Sequence, residues 1–566
     1  MMQILRPWNR TVPLLSMALL LLLVTACAAP AQPAATGDTP ADTAEETSAE
    51  EAPAASGEPQ SGGTLTIAEY SEPDILDPHI SFNRHTWLVA LQMFDTLLVA
   101  SKEGELLPHL ATSWEVNEDG TSYTFTLRED VTFHDGEPFN AEAVKYNFDR
   151  IVDPDTGSLG LASDLGPYES SEVLDEYTVQ INFSEPNGSF PLLAATRIFM
   201  VSPAAAEAAG PDDFGFQPVG SGPFQFVEWI QQDSITLERY DEYDWAPEIF
   251  DHDGVAYLDQ VIFRYIIEPG TRLAALEAGE VDVAIRLPEY DVARIREDER
   301  FSVLSEMVPG LPTNFIMNTN QSPLDDVRVR RALNLWLDRE LVNDIVWAGE
   351  NAPAYGPITP NTFAYLPAVE EINALDREQA QALLAEAGWE DSDGDGILDK
   401  DGEPLTLQIY SGGDYTDPPE AISGQFVEMG ADVEIVMVPW AEQRQVASAG
   451  DHHLMVATFN NPDPRVMRLL FHSENVGESG WVWTHLTESD PDLQAQIDEL
   501  LVAGDQESDQ AAREEIYQEV QRLLVDNAVT LPVRIDFYIY GMTPAVQGWM
   551  TTVTGWPLTY NIWLSE

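Results

Sequence analysis

Strand-like and helix-like segments follow one another from about residue 61 to the end of the 566-residue chain, and no other feature narrows the fold as much. Tyr123, Phe125 and Leu127 alternate with Thr124, Thr126 and Arg128. Val179, Ile181 and Phe183 repeat the pattern, and Val533, Ile535, Phe537 and Ile539 carry it near the end. This period-two alternation predicts half-buried strands. Between them lie helices with their own start and stop signals. Asn140 is placed to cap a helix bearing Val144, Phe148 and Ile151, and Asp376, with Gln379 three residues on, opens one that ends at Gly388. Asp338 opens a helix with Leu341, Val342, Ile345 and Val346 that stops at Gly349; Ser508 opens one with Ile516, Val520 and Leu523. The fold class is therefore α/β in the broad sense. With 44% apolar residues the chain can fill the cores of two or three domains.

The beginning of the chain reads differently. Arg6 and Arg10, the apolar run Leu14 to Val24 and the small-residue site Val24-Thr25-Ala26-Cys27 have the pattern of a lipoprotein signal peptide over residues 1–26, with Cys27 as the lipidated residue. The alternative is an ordinary secretory peptide with a chance cysteine. Cys27 is the only cysteine, so internal disulfides are excluded and stability must come from packed cores. Residues 27–60, rich in Ala, Pro, Glu, Ser and Thr, cannot bury enough surface to fold and read as a disordered acidic tether.

Acidic residues outnumber basic ones 97 to 27, a formal charge of −70 that repels phosphate backbones and argues against nucleic acid as a partner. Either simple solubility or a saline habitat accounts for such acidity. Lys102, Lys145 and Lys400 are the only lysines, so nearly every cation is an arginine, suited to fixed bidentate contacts rather than to a diffuse basic surface. There is no H-E-x-x-H, G-x-S-x-G, Walker loop or G-x-G-x-x-G, and no cysteine nucleophile remains once Cys27 is assigned to lipidation. The residues give no sign of an enzyme. His452 and His453 are adjacent and point apart on a strand, which suits a structural role rather than a metal. In the loop from Asp391 to Asp399, Asp391, Asp393, Asp395 and Asp399 occupy positions 1, 3, 5 and 9 of a calcium loop, with Gly396 at position 6. Position 12 is Gly402 where a bidentate Glu belongs, and Leu405 to Tyr410 reads as a strand rather than an exiting helix. The loop is either a structural calcium site or an Asp/Gly-rich turn; no other cofactor is expected.

The longest ordered run of motifs is Leu107-Pro108-His109-Leu110-Ala111-Thr112-Ser113-Trp114, then Glu118-Asp119-Gly120-Thr121-Ser122-Tyr123-Thr124-Phe125-Thr126-Leu127-Arg128, then Val131-Thr132-Phe133-His134-Asp135-Gly136-Glu137-Pro138-Phe139-Asn140-Ala141. Asp119-Gly120 and Asp135-Gly136 are turn signals in their own right. With Asp77-Pro78, Gly220-Ser221-Gly222-Pro223-Phe224, Asp326 to Leu333 and Asp463-Pro464, the run resembles the family-5 extracytoplasmic solute-binding proteins of ABC transporters, the oligopeptide, dipeptide and nickel type. The resemblance implies a two-lobed periplasmic-binding-protein-like fold of type II with the ligand cleft between the lobes. The first lobe spans residues 61–300, with an inserted subdomain at about 82–220 and a return at 531–566; the second spans 301–530. It further implies a monomeric, non-enzymatic receptor, lipid-anchored on the outer face of the bacterial cytoplasmic membrane or in the periplasm. Such a receptor delivers a peptide, sugar or metal chelate to an ABC permease and its ATPase. A ligand-dependent sensor or a surface hydrolase on the same scaffold are the competing readings.

In peptide-binding relatives an acidic residue just before the second lobe's D-P dipeptide pairs with the ligand's amino terminus. The corresponding position in Phe459-Asn460-Asn461-Pro462-Asp463-Pro464 is Asn460, and Ala457 stands near the place of an upstream tryptophan. An amide does not neutralise a buried ammonium. Either Asp463 takes over that role or the ligand is not a standard peptide. Trp87, Trp440, Phe459, Trp481 and Trp483 are the candidate aromatic walls, with Asn314, Asn460 and Asp463 as polar partners.

Overall fold

The computed structural model describes residues 57–81, 83–412, 419–477 and 480–565, and everything but the side chains of Leu159, Trp440 and Ala441 within them. The signal-peptide reading, Cys27 and most of the tether lie outside the described residues.

Two mixed sheets form the two lobes. The first has seven strands in the order Ser302–Met307, Phe537–Met542, Val283–Ile285, Thr64–Glu69, Gln260–Tyr265, Ser234–Arg239 and Phe224–Ile230. The second has six, in the order Ala352–Pro353, Thr530–Ile535, Gly310–Met317, Leu454–Asn460, Thr406–Ser411 and Asp432–Met437. A four-stranded antiparallel sheet, Ala111–Val116, Ser122–Leu127, Thr178–Phe183 and Tyr168–Asp175, is built from the segment between the first lobe's strands Thr64–Glu69 and Phe224–Ile230.

The local rules hold where the side chains can satisfy them. Tyr123, Phe125 and Leu127 are buried on one face of their strand, as are Val179, Ile181 and Phe183 on theirs. Gly120, at φ 67°, supplies the left-handed residue that turns Ala111–Val116 into Ser122–Leu127. Asn140, Asp338 and Asp376 accept hydrogen bonds from Ala143, Leu341 and Gln379 at the starts of Ala141–Val152, Arg339–Trp347 and Arg377–Glu386. For Gln510–Asp526 the cap is Asp509, not Ser508, because the Asp509 carboxylate is the group that reaches the Ala512 N–H, at 2.9 Å.

Both faces of the second sheet are covered. Phe315, Met317, Leu454 and Val456 point into a core with Val329, Leu333, Val342 and Phe426; Leu311, Ile316, Met455 and Ala457 point into one with Leu470, Trp483, Leu501 and Tyr517. Gly310–Met317 is consequently buried at all eight positions, and Thr530–Ile535 at all six, rather than half-buried. The alternation through Val533, Ile535, Phe537 and Ile539 is therefore not one strand. Thr530–Ile535 belongs to the second sheet and Phe537–Met542 to the first, and the chain changes lobe at Asp536. It crosses in the other direction between Met307 and Gly310. Gly310, at φ +110°, has room for no side chain: a methyl group there would sit 2.3 Å from the Phe459 carbonyl oxygen.

Buried arginines tie loops to these sheets. Arg339, 2% exposed, donates to the carbonyls of Pro532 at 2.7 Å, Asn334 at 3.0 Å and Asn373 at 3.2 Å. Arg330 does the same for Leu324 and Asn527, and Arg272 for Ile266, Ile267, Ile285 and Arg286 in the first lobe. One guanidinium satisfies several carbonyls that would otherwise be stranded without water, which a lysine cannot do in fixed geometry. Arg339→Met keeps the stem and strands those acceptors; its expected cost, read from urea unfolding, is about 3–5 kcal/mol, whereas a loss under 1 kcal/mol would mean the carbonyls have other partners.

Candidate functional site

The groove between the lobes opens into two cavities joined by a throat. One, of about 730 Å³, is lined by Arg84, Trp87 and Arg197 from the first lobe and Phe459, Asn460 and Trp481 from the second. The other, of about 830 Å³, is lined by Trp114 and Tyr123 of the inserted sheet against Phe363, Pro462 and Arg513. Trp87, Arg197, Asn460, Asp463 and Trp556 surround the throat, which holds only about 30 Å³. A further, smaller space of about 70 Å³ lies within the first lobe beside Asp95 and His109.

The lobes touch at the rim. Gly188 N–H of the insert donates to the Asp505 carbonyl at 2.7 Å, and Gln506 of the second lobe donates to Glu185 at 3.2 Å. A methyl group at Gly188 would lie 1.8 Å from the Glu507 carbonyl oxygen, so only glycine permits this approach. Arg465 of the second lobe donates to the Asp164 carbonyl of the insert.

Several of the residues expected from sequence converge here. Trp87 stands on helix Arg84–Met93, donates to the Ser81 carbonyl at 3.3 Å, and carries the Arg197 guanidinium 3.3 Å above its ring. Phe459 and Trp481 meet edge to face at 4.9 Å, and Arg444 lies 4.6 Å over Trp481. Asn460 ends strand Leu454–Asn460; its Nδ2 is 3.4 Å from the Tyr538 hydroxyl of the first lobe, and its Oδ1 is buried with no hydrogen-bond partner. Asp463 lines only the throat, and its carboxylate is bound to Arg513 at 2.7 Å and to the Arg465 N–H at 2.8 Å.

Others lie elsewhere. Trp483 is wholly buried in the second lobe's core, and Asn314 is wholly buried within strand Gly310–Met317, bonded to the Pro312 carbonyl. Trp440 begins helix Trp440–Ala449, but its side chain is outside the described residues. Asp391, Asp393 and Asp395 present exposed oxygens within 4.8 Å of one another, while Asp399 is taken up by Ser392 at 2.7 Å. His452 and His453 precede strand Leu454–Asn460; His452 Nε2–H donates to the Trp483 carbonyl at 3.0 Å, and His453 Nδ1 accepts from the Gln408 N–H at 3.0 Å. Burial pushes His452 down to about 3, and His134, held against the Gly222 carbonyl, down to about 4; both are neutral scaffold groups at ordinary pH.

The residues that sequence reasoning passed over are the cleft arginines, Arg84, Arg197, Arg465 and Arg468. Asp505 receives Arg468 at 2.8 Å and lies 3.9 Å from Arg465; Glu474 also holds Arg468, at 2.8 Å. Asp164 lies 3.6 Å from Arg197. The scarcity of cations was the available signal, but nothing local marks positions so far apart in sequence as neighbours.

Residues 105–478 match the model of the bacterial extracellular solute-binding proteins, family 5 (middle region). The glutathione-binding protein GsiB of Escherichia coli O1:K1 is 27% identical over 512 residues, covering 87% of this chain and 93% of that protein. Among solved structures, NikA from Brucella suis in complex with Fe(III)-EDTA superposes with a TM-score of 0.78 at 24% identity, covering 89% of this chain and 100% of the other. The oligopeptide-binding protein AppA from Bacillus subtilis, in complex with a nonapeptide, does so with a TM-score of 0.71 at 23% identity over 90% and 100%. Among the described residues no helix is long and apolar enough to cross a membrane. With its two sheets, its double crossing and its aromatic cleft, the chain belongs to the bacterial extracellular solute-binding proteins of family 5, a family of non-catalytic receptors.

Proposed function

We propose that this protein captures a small solute in the interlobe cleft outside the cytoplasmic membrane, where lipid at Cys27 tethers it, and passes the solute to an ABC permease. The observation that carries the reading is the cavity of about 730 Å³ whose aromatic walls come from both lobes, Trp87 from one and Phe459 with Trp481 from the other. That volume suits a ligand the size of a short peptide, a disaccharide or a metal chelate. Similar proteins include one named for glutathione and structures solved in complex with a nonapeptide and with Fe(III)-EDTA. A wall supplied by both lobes is complete only when they meet, so the ligand gains contacts in the closed form that the open form cannot offer. That differential affinity is what drives closure.

Enzymatic turnover has no support: the family is one of non-catalytic receptors, and the one histidine lining the cavity, His85, faces the Glu69 carboxylate at 3.3 Å. Asp463 holds Arg513 and the Arg465 N–H through one oxygen, Oδ1, while its Oδ2 is buried with no hydrogen-bond partner, which leaves that oxygen to receive an amine-bearing ligand at that end of the throat.

A panel of peptides, oligosaccharides and metal chelates, followed by thermal unfolding and tryptophan fluorescence, tests the reading. A true ligand at a hundred times its Kd stabilises the folded protein by about 2.7 kcal/mol and changes the emission of cleft tryptophans. If no class moves either signal, solute reception through this cleft is wrong. For the anchor, Cys27→Ser is expected to move the protein out of the detergent-soluble membrane fraction, or leave it unprocessed, with solute affinity unchanged; loss of affinity would mean that Cys27 has a role in the folded body.

A further inference from the structure

At the rim the protein alone joins its lobes, through Gly188 to Asp505, Gln506 to Glu185, and Arg465 to the Asp164 carbonyl. A further contact, Asn460 to Tyr538 at 3.4 Å, lies beside a crossing, because Asn460 pairs with Gly310. Rotation about the crossings moves that contact little and moves the rim most. Of the rim contacts, the one at Gly188 has backbone groups on both sides.

Both halves of the Gly188 contact are built before they meet. Gly188 lies between strand Thr178–Phe183 and helix Phe190–Thr196. Asn187, which is buried, fixes the approach: its N–H donates to the Gly120 carbonyl at 3.2 Å and its Nδ2 to the Leu165 carbonyl at 3.1 Å, and its own carbonyl accepts from the Tyr123 hydroxyl at 2.8 Å. That carbonyl and the Gly188 N–H belong to one planar trans peptide unit and point in opposite directions, so anchoring the oxygen inward aims the N–H at the second lobe. There, Asp505 lies in the last turn of helix Pro491–Gln506, where carbonyls have no partner within the helix. Its side chain is held by the Tyr517 hydroxyl at 2.7 Å and by Arg468 at 2.8 Å. A loop donor and a helix acceptor thus meet already oriented, which lowers the ordering cost of their bond. Water serves both groups when the lobes part, so the bond biases closure rather than locks it.

The fit leaves no room for a methyl group. A Cβ at Gly188 would lie 1.8 Å from the Glu507 carbonyl oxygen, 2.6 Å from its carbon and 3.2 Å from the Ser508 nitrogen, and these three nearest atoms all belong to the second lobe. Gly188 is not in the left-handed region, so its backbone suits alanine equally well. What glycine supplies here is close passage between the lobes and not a turn.

We propose that Gly188 and the carboxyl end of helix Pro491–Gln506 form a latch that draws the lobes together whether or not a solute is bound, so that closed molecules are already present in the solute-free population. The inference rests on the solute-receptor reading and adds a positioning contact to it: a solute's apparent affinity scales with the share of molecules in the closed form.

The test is made on the full-length protein without added solute. Gly188→Ala sets a methyl group against the second lobe and is expected to part the rim. Small-angle X-ray scattering should then give a larger radius of gyration than for the wild type. Hydrogen exchange at the amides from Glu185 to Phe190 should quicken by about tenfold, with exchange in strand Ser122–Leu127 unchanged. Gln506→Ala, which removes the neighbouring contact to Glu185 and adds no bulk, should shift both readouts the same way and keeps the test decisive should the first variant fold poorly. Scattering and exchange equal to the wild type in a folded variant would overturn the latch. Because no solute enters the measurement, that result would leave the receptor reading to the solute panel, and failure of the panel would leave the rim measurement standing.

Discussion

Asp536 is the residue on which the two-lobed arrangement turns. It is the single position between a strand of the second sheet and a strand of the first, and arginines from both sides hold it: Arg286 from the first lobe and Arg534, two residues earlier in the chain, from the second. Burial pushes its carboxyl up, but the two guanidinium charges outweigh that and hold it below the usual carboxylate range. Arg286 itself adopts φ 55°, a conformation that a non-glycine residue takes only when its surroundings compel it. Its carbonyl is fixed by Arg272 and its side chain by Asp536. The second crossing, between Met307 and Gly310, is pinned by the close passage of Gly310 against Phe459. In the proposed receptor these two crossings are where the lobes hinge as they close on a solute.

The same economy of cations runs through the molecule. In a chain with so few basic residues, almost every arginine is engaged in a defined geometry. Arg272, Arg330 and Arg339 satisfy loop carbonyls in the cores, Arg286 and Arg534 fix the crossing, and Arg84, Arg197, Arg465 and Arg468 line the cleft. The acidic excess is left to the surface, where it is hydrated and costs little. This division lets a protein of formal charge −70 present a cleft whose charges balance.

How far the sequence could be read follows from which interactions are local. Asn140, Asp338 and Asp376 cap their helices with a side chain reaching three residues on, and the Asp119-Gly120 turn pairs neighbouring strands, so both were legible. The change of lobe at Asp536 was not, because the alternation of Val533, Ile535, Phe537 and Ile539 is the same whether the strands share a sheet or not. Trp87, Phe459, Asn460 and Trp481 line one cavity between the lobes, while Trp483, two residues from Trp481, is in the core. No short-range pattern separates those two tryptophans. Nor does any bring together Arg84, Arg197 and Arg465, whose proximity is a product of the tertiary fold alone.

Reception of a solute in the cleft requires that the two lobes close over it about the crossings. Its most direct test is the distance between spin labels placed on exposed positions of the two lobes, Leu174→Cys on the inserted sheet and Val427→Cys on helix Pro419–Met429, in a Cys27→Ser background. Pulsed electron resonance on the unliganded protein should give a broad or long distance distribution, and saturation with a solute that stabilises the protein should shift it to a single shorter distance. A distribution that stays unchanged while the solute is demonstrably bound would contradict the account.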